Sequence, residues 1–176
     1  MKKRFSVKYL LTPDYMFERY GDITPEFLSS LGIKAVLVDI DNTLAPYEQP
    51  EPDEEIIAWF SALSEIGIRA SLISNNGRER VELFNRSLAL DAYPDSKKPS
   101  GKVLTLAMSK MESDATNTAV IGDQLLTDAL AAHRLGLLAL IVPPIKDKTS
   151  LFFKFKRWLE RPYIKRYNKL HGKEVK

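Results

Sequence analysis

Four short apolar runs constrain this chain more than any other feature: AVLVDI (35–40), IRASLIS (68–74), TAVIG (118–122) and LLALIV (137–142). Each has the length of one strand, and three of the four are apolar at consecutive positions; IRASLIS carries Arg69 and Ser71 between its apolar residues. A strand that is apolar on both faces must be covered on both, which points to a parallel sheet packed between helices. The intervening segments supply those helices. PDEEIIAWFSALSEI (52–66) opens with acidic residues suited to a helix N-terminus and puts Ile56, Phe60 and Leu63 on one face. Residues 78–88 and 100–111 have helical spacing, and TDALAAHRLG (127–136) ends on a glycine stop. The expected fold is α/β: a doubly wound, mostly parallel sheet assembled from βαβ units.

The flanks differ from this core in composition. In 1–34, Thr12-Pro13 and Thr24-Pro25 each set a capping residue before a proline at a first helical position, predicting an N-terminal helical extension. Residues 35–145 form the core and carry 9 Lys and Arg against 16 Asp and Glu, whereas 146–176 carry 11 against 3. An acidic body with a basic tail suits an anionic partner, nucleic acid or membrane, although a solubilising tail has the same charge. The chain has no cysteine, which excludes disulfides, thiolate zinc sites and a cysteine nucleophile, and fits a reducing cytoplasm. No apolar run approaches the roughly 18 residues of a membrane span, and Lys8, Asp14, Glu18 and Arg19 interrupt the stretch after the basic start. A cytoplasmic protein is expected.

In an open α/β sheet, ligands bind beyond the carboxyl ends of the strands. The polar residues there are Asp39-Ile40-Asp41-Asn42-Thr43 after the first run, Ser74-Asn75-Asn76 after the second, and Gly122-Asp123-Gln124 with Asp128 after the third. Lys97-Lys98-Pro99-Ser100-Gly101 opens a helix between the last two. Several carboxylates, a hydroxyl and an ammonium at one edge suit phosphoryl transfer. Carboxylates from two strands can hold Mg²⁺, one can attack phosphorus, and a hydroxyl and a lysine can stabilise the equatorial oxygens. Taken singly, these residues have plainer readings. The aspartates and Ser74 are common in turns, Asp123 could cap a helix, and Asn42 and Asn76 could be turn-formers. His133, in a helical pattern, is expected at the surface or in packing.

In order and spelling the motifs resemble those of the haloacid dehalogenase (HAD) phosphatases. VLVDIDNTL (36–44) is similar to the first motif, Ser74 to the second, Lys98 in Lys-Pro to the third and GDQLLTD (122–128) to the fourth. This resemblance implies Asp39 as nucleophile and Asp41 as general acid/base. It implies Asp39, Asp123 and the Asp41 backbone carbonyl as Mg²⁺ ligands, and Ser74, Asn75 and Lys98 as phosphate-binding. Thr43 and Gly122 would support the site. Asp128 would either hold the metal site or orient Lys98. Lys97 competes with Lys98 for one role.

From Asp39 to Ser74 is 35 residues and from Ser74 to Lys98 is 24, each room for one crossover helix and its loops. No cap domain fits, so an open, capless site is expected, suited to a large or surface-bound substrate. FSVKYLLTPDYM (5–16), the first strand, SNN (74–76) and GDQLLTD together resemble the YqeG-type HAD phosphatases, which are similar to the mitochondrial phosphatidylglycerophosphate phosphatase of fungi and plants. The implied substrate is phosphatidylglycerophosphate at a membrane surface. A phosphoprotein, a nucleic-acid end or a small phosphometabolite keeps the same chemistry, and a non-enzymatic RNA- or ribosome-binding protein would keep only the fold.

The tail fits a membrane partner. TSLFFKFKRWL (149–159) places Phe152, Phe155, Trp158 and Leu159 at helical spacing, with Lys154, Lys156 and Arg157 between them. Pro162 is expected to break the helix, and Tyr163, Ile164, Tyr167 and Leu170 form a second stripe. Interleaved aromatic and basic residues serve an interfacial helix on anionic phospholipid. The competing expectation packs these aromatics on the body. Nucleic-acid stacking is the weaker third, and the expected location is the cytoplasm, at most peripheral on the inner face of the membrane.

Overall fold

The computed structural model describes residues 7–146 and 151–172, apart from the side chains of residues 152 and 153. Its sheet has six strands: β1 (Tyr15–Met16), β2 (Ala35–Val38), β3 (Arg69–Ile73), β4 (Asp91–Tyr93), β5 (Thr118–Gly122) and β6 (Leu138–Ile141). They lie in the order β1-β6-β5-β2-β3-β4, and every pairing is parallel. The helices are α1 (Val7–Leu10), α2 (Pro25–Ser30), α3 (Glu54–Glu65), α4 (Arg78–Asn85), α5 (Lys102–Lys110), α6 (Leu130–Leu135) and α7 (Leu151–Leu170).

The consecutive apolar runs are explained by burial on both faces. Val36 and Val38 pack with Ile56, Phe60 and Leu63 of α3 and Phe84 of α4. Ala35 and Leu37, pointing the other way, pack with Leu104 and Ala107 of α5 and Ala131 and Ala132 of α6. All four residues of β2 are fully buried. Local signals set the helix ends. Thr24 and Asp53 accept the backbone N–H groups of Phe27 and Ile56 at 3.2 and 2.9 Å, and Gly136 ends α6 in the left-handed region at φ 76°.

Three expectations are corrected and one unforeseen strand is added. Thr12-Pro13 starts no helix; the chain turns there and enters β1, which pairs with β6 at the sheet edge. The Asp14 carboxylate accepts the Ala139 N–H at 2.8 Å and faces His133 Nε2 at 2.9 Å, so a tertiary contact outweighs the local capping signal. Strand β4 has no apolar run in sequence and forms by pairing with β3. The helix expected over 127–136 begins earlier, as one wide π turn at Leu125–Ala129, before α6. Pro162 lies inside α7 without ending it. The carbonyl it would have served belongs to Trp158, an exposed residue, where a missing backbone hydrogen bond costs little. Of the predicted tail helix, residues 149 and 150 and the Phe152 side chain lie outside the described residues.

Asp14→Ala should destabilise the protein by about 1–3 kcal/mol, because the buried His133 ring nitrogen loses its hydrogen-bond partner and the Ala139 N–H its acceptor. Urea unfolding followed by circular dichroism measures this, and an unchanged midpoint would refute the anchoring role of β1.

Candidate active site

The carboxyl ends of β2, β3 and β5 converge on one polar cleft of about 230 Å³, lined by residues that include Asp39, Asp41, Ser74, Lys98 and Gln124. The loop after β2 supplies two acids. Asp39 continues the strand pairing, its N–H donating to Ile121 O at 2.9 Å, and its side chain accepts from Thr43 Oγ1 at 3.4 Å. The chain then reverses at Asn42, with φ 66°, and Asn42 N donates to Ala45 O at 2.8 Å. Asparagine tolerates this left-handed conformation better than most residues. Asp41 accepts from Ser74 Oγ at 3.4 Å, Asn76 Nδ2 at 3.3 Å and Arg80 Nε at 3.2 Å.

Lys98 is buried in the centre of the site. Its Nζ lies 2.7 Å from Asp39 Oδ1 and 2.7 Å from Asp128 Oδ1, and donates to Ile73 O at 2.8 Å. Lys97 is exposed, so the structure brings Lys98 and not Lys97 into the site. Asn75 grips the Lys98 loop from both ends of its amide. Oδ1 accepts from Lys98 N at 2.7 Å and Ser96 Oγ at 2.8 Å, while Nδ2 donates to Lys98 O at 3.0 Å. Its side chain thus holds Lys98, and the residue also lines the cleft.

The loop after β5 brings Asp123 and Asp128. One ligand atom from each of Asp39, Asp123 and Asp128 lies within 4.8 Å of the others, and all three residues are buried. This donor set of carboxylate oxygens fits a hard divalent cation. Asp128 also touches Lys98, so both roles expected for it meet in one side chain. Its Oδ2 accepts from Gln124 N at 3.1 Å. Gly122 is needed here for space. A Cβ at that position would sit 2.3–2.6 Å from the Asp128 carboxylate and its Cβ.

Three site residues escaped the sequence analysis. Tyr47 lines the cleft. Arg80 lies one turn into the helix that follows Ser74-Asn75-Asn76, a position that could have flagged it. Arg157 carried no local signal. Placed among the tail cations by sequence, it reaches from α7 to the Asp123 carboxylate, and its Nη1 donates to Asp123 O at 2.7 Å and to Glu160 Oε2 at 3.0 Å. Buried Glu160 in turn accepts the Leu126 N–H at 3.1 Å, and Lys156 donates to Gln124 Oε1 at 2.6 Å. The tail therefore touches the site through Asp123 and Gln124. The intervals 39–74 and 74–98 hold α3 with β3 and α4 with β4, and no cap domain lies in them.

Burial dominates the electrostatics. It raises Asp39 to about 8, with Lys98 opposing and Asp128 and Asp123 adding to the rise. It raises Asp123 to about 6, opposed mainly by Arg157. Burial also works against the charge on Lys98, but Asp128 and Asp39 outweigh it and push its pKa up, so the ammonium persists.

Comparison with known proteins agrees with this geometry. Residues 96–144 match the HAD-hydrolase-like family model. The chain is 35% identical over 155 residues to the Probable phosphatase YqeG of Bacillus subtilis, covering 88% of this chain and 90% of that protein. The chain belongs to the YqeG family of HAD phosphatases. Solved structures share the HAD fold with this YqeG-family phosphatase at low identity. The cobalt-bound deoxy-D-mannose-octulosonate 8-phosphate phosphatase of Haemophilus influenzae aligns with TM-score 0.55 and 14% identity, over 79% of this chain and 91% of that one. An uncharacterized protein of Listeria monocytogenes aligns with TM-score 0.53 and 16% identity, over 67% and 85%.

Two outcomes are expected of this YqeG-family site. Unfolded, Asp39 has a pKa of about 3.9, well below the folded value. The metal-free fold therefore loses stability as pH rises toward about 8, where the buried carboxyl must ionise. Asp39→Asn should raise the melting temperature of the metal-free protein at pH 8 by several degrees and at pH 5 by much less; calorimetry at both values measures it. Gly122→Ala should displace Asp128 and release Lys98, lowering phosphatase turnover at least about tenfold. The far-ultraviolet dichroism spectrum should stay intact, and wild-type turnover would contradict the steric argument.

Proposed function

We propose that the protein is a Mg²⁺-dependent phosphomonoesterase that works through an aspartyl-phosphate on Asp39. The observation that carries this reading is Lys98 held between Asp39 and Asp128, with Asp123 in the same buried cluster. Mg²⁺, held by the side chains of Asp39 and Asp123 and the Asp41 backbone carbonyl, would neutralise charge on the phosphoryl oxygens and bring the substrate's dianion up to the carboxylate. An Asp39 oxygen attacks phosphorus, the ester P–O bond breaks, and the leaving oxygen takes a proton from the Asp41 carboxyl. Water then attacks the acyl-phosphate, Asp41 takes its proton, and inorganic phosphate leaves while the Asp39 carboxylate is regenerated. Lys98 and Ser74 hold the equatorial oxygens through both steps, and Thr43 steadies Asp39.

For the substrate, the reading is phosphatidylglycerophosphate at the cytoplasmic surface of a membrane. Two features support it: the resemblance over residues 5–16, and the outward face of α7. Leu151, Phe155, Trp158 and Leu159 are exposed there, beside exposed Lys154, Arg161, Lys165 and Lys169. Rings at headgroup level and cations over anionic lipid suit an interfacial helix, each cation contributing about 1 kcal/mol. Tyr163, Ile164 and Tyr167 face the body instead, so packing on the body accounts for that face of the helix. Among the described residues no helix is long and apolar enough to cross a membrane.

Asp39→Asn should lower turnover at least about a thousandfold on every phosphomonoester. Near-normal Mg²⁺-dependent turnover would refute the nucleophile. A phosphate-release assay should show phosphatidylglycerophosphate in mixed micelles preferred over soluble phosphomonoesters. The double variant Phe155→Ser, Trp158→Ser should lose sedimentation with anionic vesicles yet keep turnover on a soluble ester. Preference for a phosphopeptide or a nucleic-acid end would replace the lipid, and no release from any substrate would favour a binding protein.

A further inference from the structure

Helix α7 reaches the acidic cluster of the site through Arg157. Arg157 donates to both the carboxylate Oδ2 and the backbone carbonyl of Asp123, a residue whose side chain is fully buried. Two bonds to one residue fix its side-chain torsion. The other carboxylate oxygen, Oδ1, has a 3.4 Å contact from the Gln124 amide. The guanidinium therefore grips one oxygen and leaves the second for a cation.

The charge arrangement agrees with that geometry. Arg157 has its own counter-ion in Glu160, 3.0 Å away and buried, and Glu160 is held by the Leu126 N–H. An Arg157–Glu160 pair is neutral overall. It can orient Asp123 without cancelling the negative charge that a divalent ion needs. A lone arginine would instead have competed with the ion. The far end of the helix is fixed separately, where buried Tyr167 Oη accepts the Met16 N–H at 3.0 Å from the edge strand. Tyr167, Ile164, Glu160 and Arg157 follow one another at intervals of three or four along one face of α7, so the helix docks as a unit.

We infer that Arg157 is a positioning residue for Asp123, and that α7 is thereby coupled to divalent-ion binding at the site. The inference rests on the reading of Asp123 as an ion ligand. Partners that orient a metal ligand through a hydrogen bond change ion affinity by about 10- to 100-fold when removed. Coupling between two sites is reciprocal, so the ion must tighten α7 by the same factor by which α7 tightens the ion.

The test uses the full chain and Mg²⁺ alone. Isothermal titration should give an affinity at least about tenfold weaker in Arg157→Gln. Glu160→Gln should weaken it in the same direction, because an unneutralised Arg157 then opposes the ion, and Arg157→Lys should return part of the loss. Saturating Mg²⁺ should slow hydrogen exchange of α7 amides in the wild type and not in Arg157→Gln. Equal or tighter Mg²⁺ binding in Arg157→Gln overturns the inference, as does an exchange rate in wild-type α7 that ignores the ion. If Arg157→Gln does not fold, Glu160→Gln and Arg157→Lys decide the matter by the same affinities. A wild-type chain that binds no divalent ion overturns the reading of Asp123 and this inference together, whereas binding that is unaffected by the substitutions overturns this one alone.

Discussion

A lysine ammonium with no access to water must be matched by anions at contact distance, or it will not stay charged. Lys98 is that ammonium, and the rest of the site is arranged around it. Asp39 and Asp128 each lie 2.7 Å away, and the Ile73 carbonyl accepts a hydrogen bond from the same ammonium. Three different crossovers deliver these groups, so the ion cluster exists only when β2, β3 and β5 are in register. The same cluster leaves more carboxylate than it neutralises. Burial, with the neighbouring carboxylates adding to it, raises Asp39 and Asp123 above their ordinary range, and the surplus of acidic oxygens suits a divalent cation.

The sheet order explains why the cluster forms where it does. β2 is central, with β5 on one side and β3 on the other, all parallel. The chain leaves β2 for one side and later returns to the other, opening a crevice at the carboxyl ends between them. Backbone geometry then aims the side chains. Asn42 reverses the loop after Asp39 and Asp41, and the absence of a side chain at Gly122 makes room for Asp128. A wide π turn starts the next helix, with Asp128 in it.

Helix α7 has two faces with different physics. One is apolar and polar by turns and docks on the body through Tyr167, Ile164, Glu160 and Arg157. The other is exposed and mixes aromatic with basic residues. Residues adjacent in sequence, Arg157 and Trp158, thus belong to opposite surfaces: one reaches the buried Asp123 and the other faces outward. The continuity of the helix through Pro162 makes this possible, since a break there would have separated Arg157 from the Tyr167 anchor.

What the sequence by itself determined is what short-range chemistry can encode. Short apolar runs pointed to strands buried on both faces, the cap at Thr24, the acidic start of 52–66 and the stop at Gly136 marked helix ends, and the polar residues following each strand marked the edge where Asp39, Asp41, Ser74, Lys98, Asp123 and Asp128 meet. What only the tertiary structure decided depends on contacts far apart in the chain. β1 and β4 are strands because neighbours offered an edge, against a local helix signal in one case and without an apolar run in the other. Lys98 rather than Lys97 enters the site because the Asn75 amide fixes the loop between them. Arg157 is 34 residues from Asp123 and sits in a basic run where every cation looks alike. No periodicity or spacing distinguishes it, since its role comes from the direction in which a docked helix happens to point one side chain.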